Sequence, residues 1–328
     1  MNPVYVIDNS NFCYKYKNVH KYARVKFNHV SVDTSCLVGY IKSLRTSVFK
    51  DFIIVLDGIP KRSKEILPQY KGTREKQTSE ELSVSKLELV QFLTKVGSLI
   101  GKNIQVVCIP NCEADQVIAS ICELVQGNVP TFKQKVSISF RDTLDNDRSL
   151  NSLRDAVQQD LDLSKFDSVV IGTTDSDMYQ LVSDRVSIDN STSGKKVGGD
   201  LTPDAVYNLN PSAIPLYKAI FGDTSDNVPA LIPFKSVYIK EFNTVKTSLD
   251  LCKIYAFIEQ ESLDRLIFKQ ALPGVSMEVY NVCALVDRSL FLRNWEVVKL
   301  KFETVPIALK FPDYRIEDTI ERYHLRIK

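Results

Sequence analysis

The chain has 328 residues, 44% hydrophobic and 25% charged, with a formal net charge of +2. That is an ordinary globular composition, long enough for one large domain or two small ones, and the net charge alone names no partner. No apolar run reaches membrane-spanning length and no basic-then-apolar leader opens the chain, so no membrane partner and an intracellular, cytoplasmic location are expected.

In chain order, the first strand is expected over 4–8, "VYVID". A basic stretch follows. From Tyr14 to Phe27 there are five Lys/Arg residues and no acid, interleaved with Tyr14, Tyr16, Tyr22 and Phe27. Such a patch suits phosphate contact with base stacking, and equally a solvated basic face. "TSCLVGYIKSLRTSVF" then places Leu37, Tyr40, Ile41 and Leu44 on one helical stripe. The second strand is expected over 52–57, "FIIVLD". Between Pro60 and Lys76 lie six Lys/Arg residues against Glu65 and Glu75. The next helix has its stripe at Leu87, Val90, Leu93, Val96 and Leu99. A third strand over 104–110, "IQVVCIP", precedes a helix with Ala114, Val117, Ile121 and Leu124 on one face. The fourth strand is expected over 168–174, "SVVIGTT". Short, nearly continuous apolar runs alternating with helices argue an α/β fold whose central sheet is mainly parallel and flanked by helices.

A polar stretch from Gln126 to Asp167 is longer than an ordinary connection and reads as an insertion, partly helical near 150–161. "NSTSGKKVGG" reads as a turn. "LTPDAVYNL" and "PSAIPLYKAIFG" open a mainly helical region. Near the end, "LRNWEVVKLKFETVPI" alternates like an edge strand, and "RIEDTIERYHLRI" reads as a final helix. The division expected is a core over 1–190 and a helical region over 191–328 whose last strand and helix pack back on the core. The seven cysteines, an odd number, read as reduced and partly buried. Cys108 and Cys112 lack the companions a zinc site needs.

Acids gather at the strand ends. Asp8 closes the first strand and Asp57 the second. Glu113 and Asp115 follow the third after a short turn, and Asp175 and Asp177 follow the fourth. In an open parallel sheet ligands bind outside the carboxyl ends of the strands, so these acids should share one edge. A single aspartate there is most often a turn or a helix cap. Four such turns together repel one another unless a cation intervenes. Hard oxygen donors suit Mg²⁺ or Mn²⁺, and their number suits two ions about 4 Å apart in phosphoryl transfer. No Gly-rich phosphate loop, no G-x-G-x-x-G after the first strand and no G-x-S-x-G elbow is present. His20, His29 and His324 are the only histidines.

These motifs, in this order, resemble the 5′-nuclease superfamily over roughly residues 1–300: "VIDNSN", "VLDG" with "KRSKEILPQYKGTR", "CEADQVIA", "GTTDSDMYQL" and "FGDTSDNVP". The resemblance implies a PIN-like core, a basic helical arch near 60–85 and a helix–three-turn–helix DNA-binding region near 200–260. It implies a first metal at Asp8, Asp57, Glu113 and Asp115, and a second at or near Asp175, Asp177, Asp223 and Asp226. Lys71 and Arg74, three apart and so on one face of a helix, would offset charge on the scissile phosphate. Tyr70 would stack a terminal base, and Lys61, Arg62, Lys64, Lys235 and Lys240 would meet phosphates. The implied substrate is DNA with a 5′ end or flap, or an RNA–DNA junction, cut by a monomer. Two departures stand out. Gln116 replaces a second adjacent aspartate, so one metal should bind more weakly. The segment after Asn227 has no glycine before Val237, which argues against a backbone-held K⁺ there. A related metal-dependent ribonuclease, or a structure-specific DNA-binding homologue without chemistry, are the alternatives.

Overall fold

The computed structural model describes residues 2–13, 24–27, 30–33, 42–72, 90–91, 93–95, 97–128, 157–190, 195–197, 209–301 and 305–311. Its strands are β1 (Pro3–Asp8), β2 (Arg24–Phe27), β3 (Val30–Asp33), β4 (Asp51–Leu56), β5 (Asn103–Cys108), β6 (Val157–Asp160), β7 (Ser168–Gly172), β8 (Val186–Asn190), β9 (Lys195–Val197) and β10 (Ile307–Lys310). β2 and β3 form an antiparallel pair of their own. The other eight make one sheet in the order β6-β10-β5-β4-β1-β7-β8-β9.

The four strands read from the sequence are neighbours in the middle of that sheet. β5, β4, β1, β7 and β8 run parallel. β9, β10 and β6 are added antiparallel at the edges. The apolar runs have a physical reason. Val4 and Val6 of β1 pack on one side of the sheet with the helix Ala114–Val125, while Tyr5 and Ile7 pack on the other with Leu44, Val90 and Leu93. Successive side chains point to opposite faces, so a strand covered on both faces must be apolar throughout. Each such side chain contributes about 1.5–3 kcal/mol on burial. The carboxyl ends of β5, β4, β1 and β7 therefore lie side by side, in a register that pairs Asp8 with Val55, Ile7 with Gly172 and Leu56 with Cys108.

Several expectations change. Residues 292–298 are not strand but the end of a helix, Arg288–Val298. Phe291, Asn294, Trp295 and Val298 are buried at helical spacing, and the Asp287 carboxylate caps the first turn through Leu290 N. The strand comes later, as β10, and pairs with β5 and β6. Residues 157–160, expected within the helical part of the insertion, are instead the strand β6, because β10 presents an open edge to it. The expected turn at 190–199 contains β9. Leu99 is 69% exposed, off the stripe whose Val90 and Leu93 are buried. The rest of the insertion (129–156), most of the basic stretch at 14–23, residues 73–89 of the arch and the expected last helix lie outside the described residues. No helix among the described residues is long and apolar enough to cross a membrane.

Candidate active site

Asp8 ends β1 and is 5% exposed; its Oδ1 accepts from Asn11 N at 3.1 Å. Asp57 follows β4 and is exposed, and its Oδ1 accepts from Ala114 N, the first residue of the helix Ala114–Val125, at 3.1 Å. Asp8 thus caps the helical turn at 9–13, and Asp57 caps the helix that starts across the sheet edge. The capping reading and the acidic-site reading hold together. Gly58 makes the approach possible, since a Cβ there would stand 2.2 Å from Ile109 O.

Glu113 is the N-cap residue of that helix and Asp115 lies in its first turn. Burial raises the Asp115 carboxyl well above its ordinary range, and the charges of Asp175, Asp8 and Asp57 add to the effect while Lys71 opposes it. Four acids from four different turns therefore feel one another at Asp115.

On the far side, Asp175 caps the 3-10 helix Ser176–Leu181, its Oδ1 accepting from Asp177 N at 2.9 Å. Thr173 Oγ1 accepts from Asp175 N, and Thr174 binds Asn11 Oδ1 through both N and Oγ1, fastening this loop to the end of β1. The 3-10 start turns Asp177 toward the helix Ile214–Phe221, where it forms an ion pair with Lys218. Lys218 Nζ also stands 2.6 Å from Asp223 Oδ2. Burial pushes the Asp177 carboxyl up to about 6; Lys218 works against this and Asp175 with it. Burial opposes ionisation of Asp223 too, but Lys218 and Ser225 outweigh it and hold that carboxyl below its usual range. Gly222 permits the sharp turn into Asp223. Its φ is +78°, and a Cβ would meet Ala230 N and Val228 O at 2.6 Å.

Tyr70 and Lys71 tie the two halves together. Tyr70 Oη lies 3.0 Å from both Glu113 Oε2 and Asp226 Oδ2. Burial and those two charges raise the phenol, so it stays protonated and its single O–H serves one carboxylate at a time. Lys71 pairs with Glu113 and lies 3.9 Å from Asp226. Burial opposes its charge, but Glu113, Asp115 and Asp226 hold it protonated.

The structure corrects two sequence readings here. Tyr70 is 4% exposed, so its ring has no face free for a terminal base. The reason is its hydroxyl, drawn inward by two acids. Lys71 is not helical: the helix Lys61–Ile66 stops at Leu67, whose φ of −132° is what a residue before proline adopts. Lys71 itself has φ +53°, and its N–H is bonded to Asp226 O. It therefore cannot share a helix face with Arg74, which lies outside the described residues.

Of the other basic residues named from the sequence, Lys61, Lys64, Lys235 and Lys240 are exposed, and Arg62 meets Glu296 at 2.7 Å on the surface. In the segment after Asn227, Pro229 and Pro233 have no N–H, and Val228 N and Leu231 N are bonded to Asp223 O and Ile220 O, so these four positions offer no N–H to a phosphate.

Lys218 went unread in the sequence, yet a signal was present. It is the one charged residue in "IPLYKAIF", a helix whose eight residues are all buried. A lone lysine in such a run needs a carboxylate partner inside.

Among the described residues no three acids stand ready around one point to hold a metal ion. Four of the acids already have a lysine beside them, Glu113 and Asp226 with Lys71 and Asp177 and Asp223 with Lys218. The donor set is still suited to a hard cation: every candidate atom is a carboxylate oxygen, and the mutual repulsion at Asp115 is the kind a cation relieves.

No family model matches the chain. A curated 5′-3′ exonuclease of Buchnera aphidicola subsp. Schizaphis graminum is 22% identical over 330 residues, covering 97% of this chain and 92% of that protein. A structure of T5 5′-exonuclease with bound divalent metal ions (zinc) is 21% identical with a TM-score of 0.52, covering 91% of this chain and 89% of that one. A T5 protein co-crystallised with metal ions gives 19% identity, the same TM-score of 0.52 and the same coverage. The likeness to these structures is one of fold.

Proposed function

We infer, from its fold and its likeness to a curated 5′-3′ exonuclease, that this chain is a member of the 5′-nuclease superfamily and a divalent-metal-dependent 5′-nuclease. It hydrolyses phosphodiester bonds at 5′ ends or 5′ flaps of DNA, and at RNA–DNA junctions, as a monomer using Mg²⁺ or Mn²⁺. The observation that carries this reading is that Asp8, Asp57, Glu113 and Asp175 follow the carboxyl ends of β1, β4, β5 and β7, which are parallel neighbours in the sheet.

Asp8, Asp57, Glu113 and Asp115 would hold one ion, and Asp175, Asp177, Asp223 and Asp226 another. The chemistry such ions supply is a water made nucleophilic at neutral pH and stabilisation of the leaving 3′ oxygen. The chain's own residues prepare the ground. Asp8 and Asp57 are oriented by the N–H groups they cap. Tyr70 spaces Glu113 from Asp226. Lys71, once its carboxylate partner is otherwise neutralised, carries a cation at the base of the arch. There it offsets negative charge on the phosphate in the transition state. Lys61, Lys64, Lys235 and Lys240 are exposed to meet the backbone of the substrate.

The test is a labelled 5′-flap duplex incubated with the protein and Mg²⁺. Cleavage to a 5′-phosphate and a 3′-hydroxyl, stopped by EDTA, is expected. Tight flap binding without turnover would instead select a non-catalytic homologue. Faster cutting of single-stranded RNA than of flap DNA would select a ribonuclease.

A further inference from the structure

The acids of the proposed site do not share one fate. In the half with Glu113 the cation at hand is Lys71, on a turn and partly exposed. At Asp177 and Asp223 a lysine already lies between them. Lys218 is 1% exposed and contacts both carboxylates.

Its backbone is also fixed. Asn294, fully buried, donates to Ala219 O at 3.0 Å and to Pro229 O at 2.8 Å, binding this helix to the helix Arg288–Val298. On the next turns Tyr217 and Phe221 pack with Phe234 and Phe242. Lys218 thus projects from a helix locked on several sides. Lys71 differs: it sits on a turn leading into the arch, and its side chain is 16% exposed. One lysine reaches its carboxylates from a partly exposed turn and the other is built into a buried helix.

We propose that Lys218 is a resident counter-cation of the Asp177–Asp223 half of the site, so that this half takes a divalent ion more weakly than the half around Asp115. This rests on the metal-dependent reading above. A divalent ion arriving at Asp177 and Asp223 meets a positive charge that cannot retreat, and the carboxylates it would need are already neutralised. In the other half the resident cation is Lys71, which reaches Glu113 from a partly exposed turn and not from a buried helix, so an arriving ion meets a less firmly built competitor. The arrangement keeps buried carboxylates folded before metal arrives, at the expense of affinity for the second ion. Lys218 acts here through the carboxylates and is a positioning residue.

Binding of Mn²⁺ alone, followed by electron paramagnetic resonance on the full chain, tests this without reference to activity. Wild type should bind one ion well before a second. Lys218→Met and Lys218→Gln should tighten the second step at least about tenfold and leave the first unchanged. Lys218→Arg, which keeps the charge, should retain the wild-type isotherm. Thermal unfolding provides an independent measure that still reports if the neutral variants fold poorly. Without metal they should melt below wild type, and Mn²⁺ should raise their melting temperature by more than it raises that of wild type. Two equal sites in wild type, or an isotherm indifferent to the charge at 218, overturns the inference and leaves the nuclease reading standing. No Mn²⁺ bound by any of these proteins overturns both.

Discussion

Asp115→Asn will slow cleavage of a 5′-flap duplex by about a thousandfold or more, yet without metal the variant will melt above wild type. The two effects have one cause. Asp115 is where burial and the charges of Asp175, Asp8 and Asp57 act together. Removing its charge takes away a metal ligand worth several kcal/mol in the transition state, and about 4 kcal/mol corresponds to that rate loss. It also removes a repulsion the metal-free fold must endure, a gain of about 0.5–2 kcal/mol. Saturating Mg²⁺ should reverse the order of melting temperatures, since wild type then gains more from the ion. Rates at saturating substrate and paired melting curves, with EDTA and with Mg²⁺, are the measurements. A variant that keeps wild-type turnover would remove Asp115 from the site.

Lys71→Met should also cost about a hundred- to a thousandfold in kcat, the size seen when one preorganised cation or donor is lost. KM should move little, because exposed lysines supply most of the contact with the substrate backbone. Its effect on metal-free stability has the opposite sign. Glu113 and Asp226 lose the cation that pairs with them, so the fold weakens by about 1–3 kcal/mol. The pair of variants therefore separates two explanations of lost activity. One loses turnover and gains metal-free stability; the other loses both. Equal destabilisation of both would mean that general misfolding accounts for the rates.

The sheet was legible because its strands are covered on both faces. β1, β4, β5 and β7 cannot hide apolar runs of that length any other way, whereas their order in the sheet was not read. That the acids follow neighbouring strand ends was legible for a related reason: the carboxyl ends of parallel strands lie at one edge of the sheet. What escaped depended on partners far along the chain. Alternation over 292–298 looked like a strand, but Asn294 is buried because it binds one carbonyl of another helix and one of the segment that follows it, which no local pattern reveals. β6 exists only because β10 offers it an edge from about 150 residues away. Tyr70 looked like a stacking residue until its hydroxyl was found between Glu113 and Asp226. The stop after Lys61–Ile66 could have been read, since Pro68 forces Leu67 out of helix geometry. Lys218 could also have been read, as a charge stranded in an apolar helix five residues before Asp223.

The claim that the acids at these strand ends form a cation site is tested most directly by diffraction from crystals soaked in Mn²⁺, with data collected at the manganese absorption edge. An anomalous peak among Asp8, Asp57, Glu113 and Asp115 is the result expected, with a weaker peak or none beside Lys218. A structure with Lys71 and Lys218 still paired to their carboxylates, and no anomalous signal near Asp115 at saturating Mn²⁺, would contradict it.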